Sequence, residues 1–261
     1  LTILSGKLGV RFQNEFIGRP DAVIPRIGSS VTSYGAAVVR QFEMMGVFTV
    51  VTTEALLRSR DKRTALQYLA ANHLPVPDSV FTAMPDNVGS SLRILGEEDP
   101  VVIKLLNSTQ GQGVILGESN SASLSVAEAF IRLKEEILLQ RLIGESKGKD
   151  VRVFIVGGQV VAAMERSAQN GEFRSNLHRG ASSHKIRITS EEEEIALRAA
   201  QLMGLEVAGV DILRSNTGPL ILEVNASPGL EGIEGTTGVD IASQIIRFVE
   251  TNAKPVPVKV V

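Results

Sequence analysis

Two oxygen donors, Glu223 and Asn225, interrupt the apolar run ILEVNASPG at 221–229. Side chains two apart on a strand share a face, so a carboxylate and a carboxamide would project together where Pro228 and Gly229 stop the strand. A solvent-facing edge strand explains this stretch equally well. A hairpin over 207–225, VAGVDILRSNTGPLILEVN, can add a third donor, and its loop decides where that donor lies. With a three-residue loop at Asn216-Thr217-Gly218, Ser215 pairs with Pro219 and Asp211 stands opposite Glu223. With a two-residue loop Asp211 meets Leu222 instead, and the carboxylates point to opposite faces. In the first case Asp211, Glu223 and Asn225 form an all-oxygen cluster whose two carboxylates repel unless a proton, an arginine or a cation lies between them. Mg²⁺ suits such a cluster because it takes oxygen ligands and keeps positions open for water and phosphate. An arginine-neutralised pair and a glycosidase-like acid/base pair are the alternatives. The lack of tryptophan and an aromatic content of 4% weaken the sugar reading.

A second group is the glycine loop Thr109-Gln110-Gly111-Gln112-Gly113 between two strands, with Lys104 on the first of them. Glycines let backbone N–H groups approach phosphate oxygens, and a strand lysine supplies positive charge. An ordinary glycine-bearing hairpin has the same appearance. Neither GxxxxGK[ST] nor a GxGxxG opening a helix is present, so any nucleotide site would be built from β-structure. A third group, Arg166, Arg174, Asn176, His178 and Arg179, lies in MERSAQNGEFRSNLHRG. Forked guanidinium donors suit carboxylates and phosphates, although solvated loop arginines read the same way.

The elements that must position these residues alternate in type. Residues 22–58 read strand (AVIPRI), helix ended by Gly46, strand (VFTVV) and the start of a helix, part of a parallel-sheet unit. A helix over 60–73 carries Leu66, Leu69, Ala70 and His73 on one stripe, and LPVP ends it. Strands follow at 100–106, 114–117 and 137–143, with a helix from Ser123. Gly157-Gly158 marks a two-residue hairpin within 150–168. Ser190 and Glu193 give a capping box that accounts for the glutamate run 191–194.

The 261 residues are 43% hydrophobic and 21% charged, which excludes disorder and leaves ample core for one large or two modest domains. No apolar stretch approaches the roughly 20 residues that span a bilayer. A net charge of −2 gives no global attraction to nucleic acid, and zero cysteines exclude disulfides and thiolate chemistry, which fits a cytoplasmic setting. A start at Leu1 suggests that an N-terminal segment is missing.

The ordered strings RDK (60–62), VIKLLNSTQGQGV (102–114), DVRVFIVGGQVVAAMERSA (150–168), FRSNLHRG (173–180), VAGVDIL (207–213) and LEVNASPGLEGIE (222–234) resemble the ATP-grasp ligases. Within these the chain is most similar to the RimK-type α-L-glutamate ligases. PRIG at 25–28 and QFEMMG at 41–46 extend the likeness over nearly the whole chain.

The resemblance implies an α/β ATP-grasp fold behind a partial Rossmann-like pre-ATP-grasp domain. It divides the chain into residues 1–58, a small subdomain with a glycine flap at 59–140, and a large subdomain at 141–261 that carries the metal and substrate site. It implies ATP as cofactor, with Mg²⁺ or alternatively Mn²⁺ held by Asp211, Glu223 and Asn225. Lys62 and Lys104 would contact phosphates, Lys104 also facing the adenine side. Gln110, Gly111 and Gly113 would belong to the flap, Gln140, Arg141 and Leu142 to the adenine hinge, and Asp150 to the ribose contact. Arg152, Arg174, Ser175 and Asn176 would border the nucleotide, and Arg166, Arg174, Asn176 and Arg179 would act on substrate. The hinge departs from the family's Gln-Glu-Tyr. The implied substrates are L-glutamate and the C-terminus of a small-subunit ribosomal protein, joined by a homo-oligomer such as a tetramer, with no nucleic acid or membrane contact. A small-molecule or carrier-protein acceptor, or a nucleotide-binding regulatory domain without turnover, are the rival readings.

Overall fold

The computed structural model describes residues 1–96, 99–106, 113–169, 173–175 and 180–254. The chain opens with an antiparallel three-stranded sheet, β1 (Thr2–Leu4), β2 (Lys7–Phe12) and β3 (Glu15–Ile17), which the sequence pattern did not disclose. The parallel unit follows: β4 (Ala22–Val23) and β5 (Phe48–Thr49) pair across α1 (Thr32–Met44). Both strands are only two residues long, shorter than the apolar runs suggest.

The helix expected over 60–73 is two helices, α2 (Thr53–Arg60) and α3 (Lys62–Ala71). Asp61 divides them. Its extended backbone ends α2, and its carboxylate accepts from Arg63 N at 3.0 Å and Thr64 N at 3.3 Å, capping α3. Lys62 therefore becomes the first residue of α3. His73 lies beyond the helix in a left-handed conformation, φ 59°.

A four-stranded antiparallel sheet is ordered β6-β9-β7-β8, with β6 Ser79–Thr82, β7 Val101–Leu105, β8 Val114–Gly117 and β9 Ile137–Arg141. Two helices, α4 (Val88–Leu95) and α5 (Asn120–Arg132), cover one face. Their Val88, Leu92, Leu95, Ala127 and Ile131 pack on Val101, Ile103, Ile137 and Leu139. Full burial of each large side chain there contributes about 1.5–3 kcal/mol relative to exposure. Strand alternation turns Val102, Lys104, Leu138 and Gln140 to the opposite face, toward α3.

The larger sheet is antiparallel and ordered β12-β11-β10-β13-β14. Its strands are β10 (Lys149–Val156), β11 (Gln159–Ser167), β12 (Ser182–Lys185), β13 (Val207–Ser215) and β14 (Gly218–Asn225). Gly157 and Gly158, φ 57° and 73°, make the expected tight turn between β10 and β11. Between β12 and β13 lies α6 (Ser190–Met203), and α7 (Glu231–Thr237) and α8 (Ile241–Asn252) follow β14. The capping box of α6 is Thr189 with Glu192, one residue before the expected pair. Glu192 can take this place because Arg214 Nε donates to it at 2.6 Å, which satisfies its second oxygen. One core joins this sheet to α6, α2 and α3 through Leu56, Leu69, Phe154, Met203 and Ile212.

The β13–β14 loop settles the parity question in an unanticipated way. Ser215 pairs with Gly218, so the loop is the two-residue Asn216-Thr217. Leu222 then bulges out of register, and Asp211 pairs with Glu223 after all.

Candidate active site

An open cleft lies between the four-stranded and five-stranded sheets. Its walls come from Ser59 and α3 (Lys62, Leu66, Leu69), from the free face of the small sheet (Lys104, Gln140) and from Glu223 on β14. Asp61 caps α3 and so sets Lys62 at the rim, where its ammonium donates to Leu106 O at 3.2 Å. Lys104 Nζ donates to Gln140 Oε1 at 2.6 Å. Burial pushes the Lys104 ammonium down to about 8, with Lys62 adding to the fall and Glu223 opposing it. Burial also lowers Lys62. Glu223, itself exposed, is the shared counter-charge of Lys62, Lys104 and Arg60.

Beside Glu223 runs a ladder of alternating charge across β13, β10 and β11. Arg152 grips Asp211 with two hydrogen bonds, Nε to Oδ1 at 2.7 Å and Nη2 to Oδ2 at 2.6 Å. Arg166 grips Asp150 in the same manner at 2.6 and 2.7 Å and reaches Asp211 Oδ2 at 2.9 Å. Ser175 Oγ donates to Asp150. Register explains the ladder: Arg152 lies opposite Asp211, and Asp150 opposite Arg166. Burial alone would raise the Asp211 carboxyl, but Arg152 and Arg166 outweigh it and hold it below the ordinary range. Asp150 goes the other way, raised by burial against the pull of Arg166. For Arg166 the two carboxylates overcome burial and hold it above its usual value.

These contacts correct three expectations. Arg166 is 4% exposed and bound to two carboxylates, so it is no solvated donor for a substrate anion. Asp150 is 5% exposed and engaged by Arg166 and Ser175, which leaves it poorly placed for direct ribose contact. The Arg141 side chain turns away from the cleft. Arg141 donates to Leu95 O at the end of α4 and pairs with Asp78 at 2.8 Å, and Leu142 N donates to Pro100 O. At this departure the Arg141 side chain faces outward, while Gln140 lines the cleft.

The metal set comes together as an arginine-neutralised form of the expected cluster. Asp211 is 3% exposed with both oxygens engaged. Asn225 Nδ2 donates to Gly209 O at 3.4 Å, which leaves its carbonyl oxygen as the ligating atom. Among the described residues no three His, Cys, Asp or Glu side chains cluster, so an ion here would draw on two carboxylates and one carboxamide. That donor chemistry fits Mg²⁺ or Mn²⁺. Gly209 permits the local packing, since a Cβ there would lie 2.7 Å from Pro228 Cβ.

Gly113, φ 63°, closes the flap base by accepting from Leu105 N, and Arg174 donates to Val114 O. Gln110, Gly111, Asn176 and Arg179 lie outside the described residues. The sequence reading missed Arg60, whose guanidinium bonds Ile27 O while its Nε is buried without a partner. Its place two residues before Lys62 was the available signal. Also missed was Arg26, which donates to Pro228 O at 2.7 Å.

Comparison with known proteins gives a consistent picture. The family model described as RimK-like ATP-grasp domain matches residues 59–249, and that of the RimK PreATP-grasp domain matches 1–56. A probable alpha-L-glutamate ligase of Nitrosococcus oceani is 54% identical over 97% of this chain and 84% of its own length. One of Hydrogenovibrio crunogenus is 53% identical over 98% and 84%. Among solved structures, the ATP-grasp ligase PsnB complexed with a phosphomimetic variant of its minimal precursor, Mg and ADP is 26% identical, with a TM-score of 0.65 over 86% of this chain and 68% of that one. D-cycloserine synthetase DcsG, 18% identical, shares the fold with a TM-score of 0.71 over 90% and 85%. Matched by family models along nearly its whole length and half identical to curated relatives, the chain belongs to the RimK family of ATP-grasp ligases and is an ATP-dependent ligase.

Proposed function

We propose that the chain is an ADP-forming carboxylate–amine ligase that adds L-glutamate to the C-terminus of a small-subunit ribosomal protein. The observation that carries this reading is the convergence of Lys62, Lys104 and Arg60 on Glu223, beside Asp211 and Asn225. Three cations around one carboxylate are a poor arrangement for an empty cleft and a good one for a polyphosphate. The acceptor carboxylate attacks the γ-phosphorus of ATP, forming an acylphosphate and ADP. The glutamate amine then attacks the acyl carbon, phosphate leaves, and a peptide bond results. A divalent ion held by Glu223, Asn225 and Asp211 would neutralise phosphate charge.

The protein side chains act by position and charge. Lys62 and Lys104 hold phosphate from opposite walls, and no side-chain nucleophile is needed. Arg174 at the flap base, with Arg179 and Asn176, serves the substrate carboxylates, and Arg166 serves them by fixing Asp150 and Asp211. We assign residues 1–58, 59–140 and 141–261 to the pre-ATP-grasp, small and large parts, and a homo-oligomeric, cytoplasmic enzyme. Among the described residues no helix is long and apolar enough to cross a membrane. Incubation of the candidate ribosomal protein with enzyme, Mg-ATP and glutamate, followed by mass spectrometry, tests the reading. Glutamate-sized increments at the C-terminus are expected. ADP release with a small-molecule acceptor but not with the ribosomal protein would favour the rival acceptor class.

A further inference from the structure

The lysine on the small-sheet wall does not orient itself. Lys104 Nζ donates to Gln140 Oε1 at 2.6 Å, Gln140 Nε2 donates to Ser79 Oγ at 2.9 Å, and Ser79 Oγ donates to Pro77 O at 2.8 Å. The polarity of this chain is forced from its far end. A carbonyl oxygen accepts only, so the single hydroxyl proton of Ser79 is committed to Pro77. Toward Gln140 the serine can then only accept. The amide must turn its NH₂ to Ser79, and its oxygen consequently faces the ammonium.

Strand pairing holds the members in place. Ser79 on β6 lies directly opposite Gln140 on β9, and Lys104 on β7 is the diagonal neighbour of Gln140 on the same face. Gln140 is 2% exposed, so water cannot substitute for either partner. With the opposite amide orientation, an NH₂ group would confront an ammonium in a desolvated site.

We propose that Ser79 is a positioning residue for nucleotide binding, acting through the amide of Gln140 on the direction of the Lys104 ammonium. This rests on the reading of the cleft as the ATP site, and it adds a residue outside the cleft lining. Loss of the hydroxyl frees the amide to invert, which removes the acceptor from Lys104.

The test measures ATP·Mg²⁺ affinity on the full chain by calorimetric titration. Ser79→Ala is expected to weaken binding about fivefold, the loss of one ordinary hydrogen bond. Ser79→Thr, which keeps the hydroxyl, should restore wild-type affinity. In a Gln140→Met background Ser79→Ala should add nothing, because the relay is already cut. Lys104→Met serves as the control for the site itself. If Lys104→Met loses affinity while Ser79→Ala binds as wild type, or if alanine and threonine weaken binding equally, the relay is wrong and the site stands. If Lys104→Met leaves ATP binding unchanged, the nucleotide reading of the cleft falls, and the relay falls with it.

Discussion

Glu223 is the residue on which the site's electrostatics turn, because three cations from three elements take it as counter-charge while it stays exposed. Glu223→Gln keeps the shape and removes the charge. Turnover is expected to fall about 10²–10³-fold, the usual cost of losing one strong contact to developing charge. The thermal midpoint of the variant reports separately the cost of leaving three cations without this counter-charge, and near-normal ADP formation by the folded variant would rule out the metal assignment. Lys104 adds a pH signature. Its folded value of about 8 lies below that of a free lysine. Phosphate binding favours the charged form, so affinity should be full below pH 8 and decline as pH rises through it. The sign for stability is opposite: burial penalises the ammonium, and this penalty is relieved as pH climbs from about 8 toward the free-lysine range. ATP titrations at pH 7 and pH 9 check the first statement. Lys104→Arg, which cannot deprotonate in that range, should flatten the profile.

At the scale of elements, the sheet places carboxylates together by register and neutralises them by neighbours. The sequence left two loops open, of which only the three-residue one brings Asp211 opposite Glu223, and the structure reaches that pairing through a two-residue loop and a bulge at Leu222. Either device shifts register by one, and a bulge leaves no composition signature, so the pairing was legible as one alternative while the means was not. Lys104 was legible from its place on the strand before the glycine loop, whereas Gln140 entered only through the family resemblance. Ser79 was not legible, since its role needs the β6–β9 pairing, a contact 61 residues apart. Arg166 was misjudged because its burial is decided by Asp150 and Asp211 on neighbouring strands and not by its own segment. Its substitution gains a different expectation as a result. Arg166→Met leaves two buried carboxylates short of a partner, which typically costs about 3–5 kcal/mol. A large fall in urea midpoint is expected, with Arg166→Lys recovering only part of it. A fold of wild-type stability combined with a selectively raised glutamate KM would show that the arginine faces substrate instead.

At the scale of the molecule, the four-stranded and five-stranded sheets meet over a cleft through α3 and β14. Lys62 comes from the helix that packs with the large sheet and Lys104 from the small sheet, so like charges face each other across the cleft, with exposed Glu223 opposing both. The Lys62 charge adds to the lowering of Lys104. A polyphosphate entering between them would replace this repulsion with attraction to both walls. Nucleotide is therefore expected to stabilise the folded chain as a unit. Binding to the native state alone contributes RT ln(1 + [L]/Kd), about 2.7 kcal/mol at one hundred times Kd. Thermal unfolding with saturating ATP·Mg²⁺ should accordingly show a midpoint several degrees higher than without it, and a single transition. In Lys62→Met or Lys104→Met the same nucleotide concentration should give a much smaller rise, measured against each variant's own nucleotide-free midpoint. The two shifts together discriminate the mechanism. A lysine that only packed against its wall would lower the nucleotide-free midpoint when replaced and leave the ATP increment intact, and that pattern would separate both lysines from the polyphosphate site.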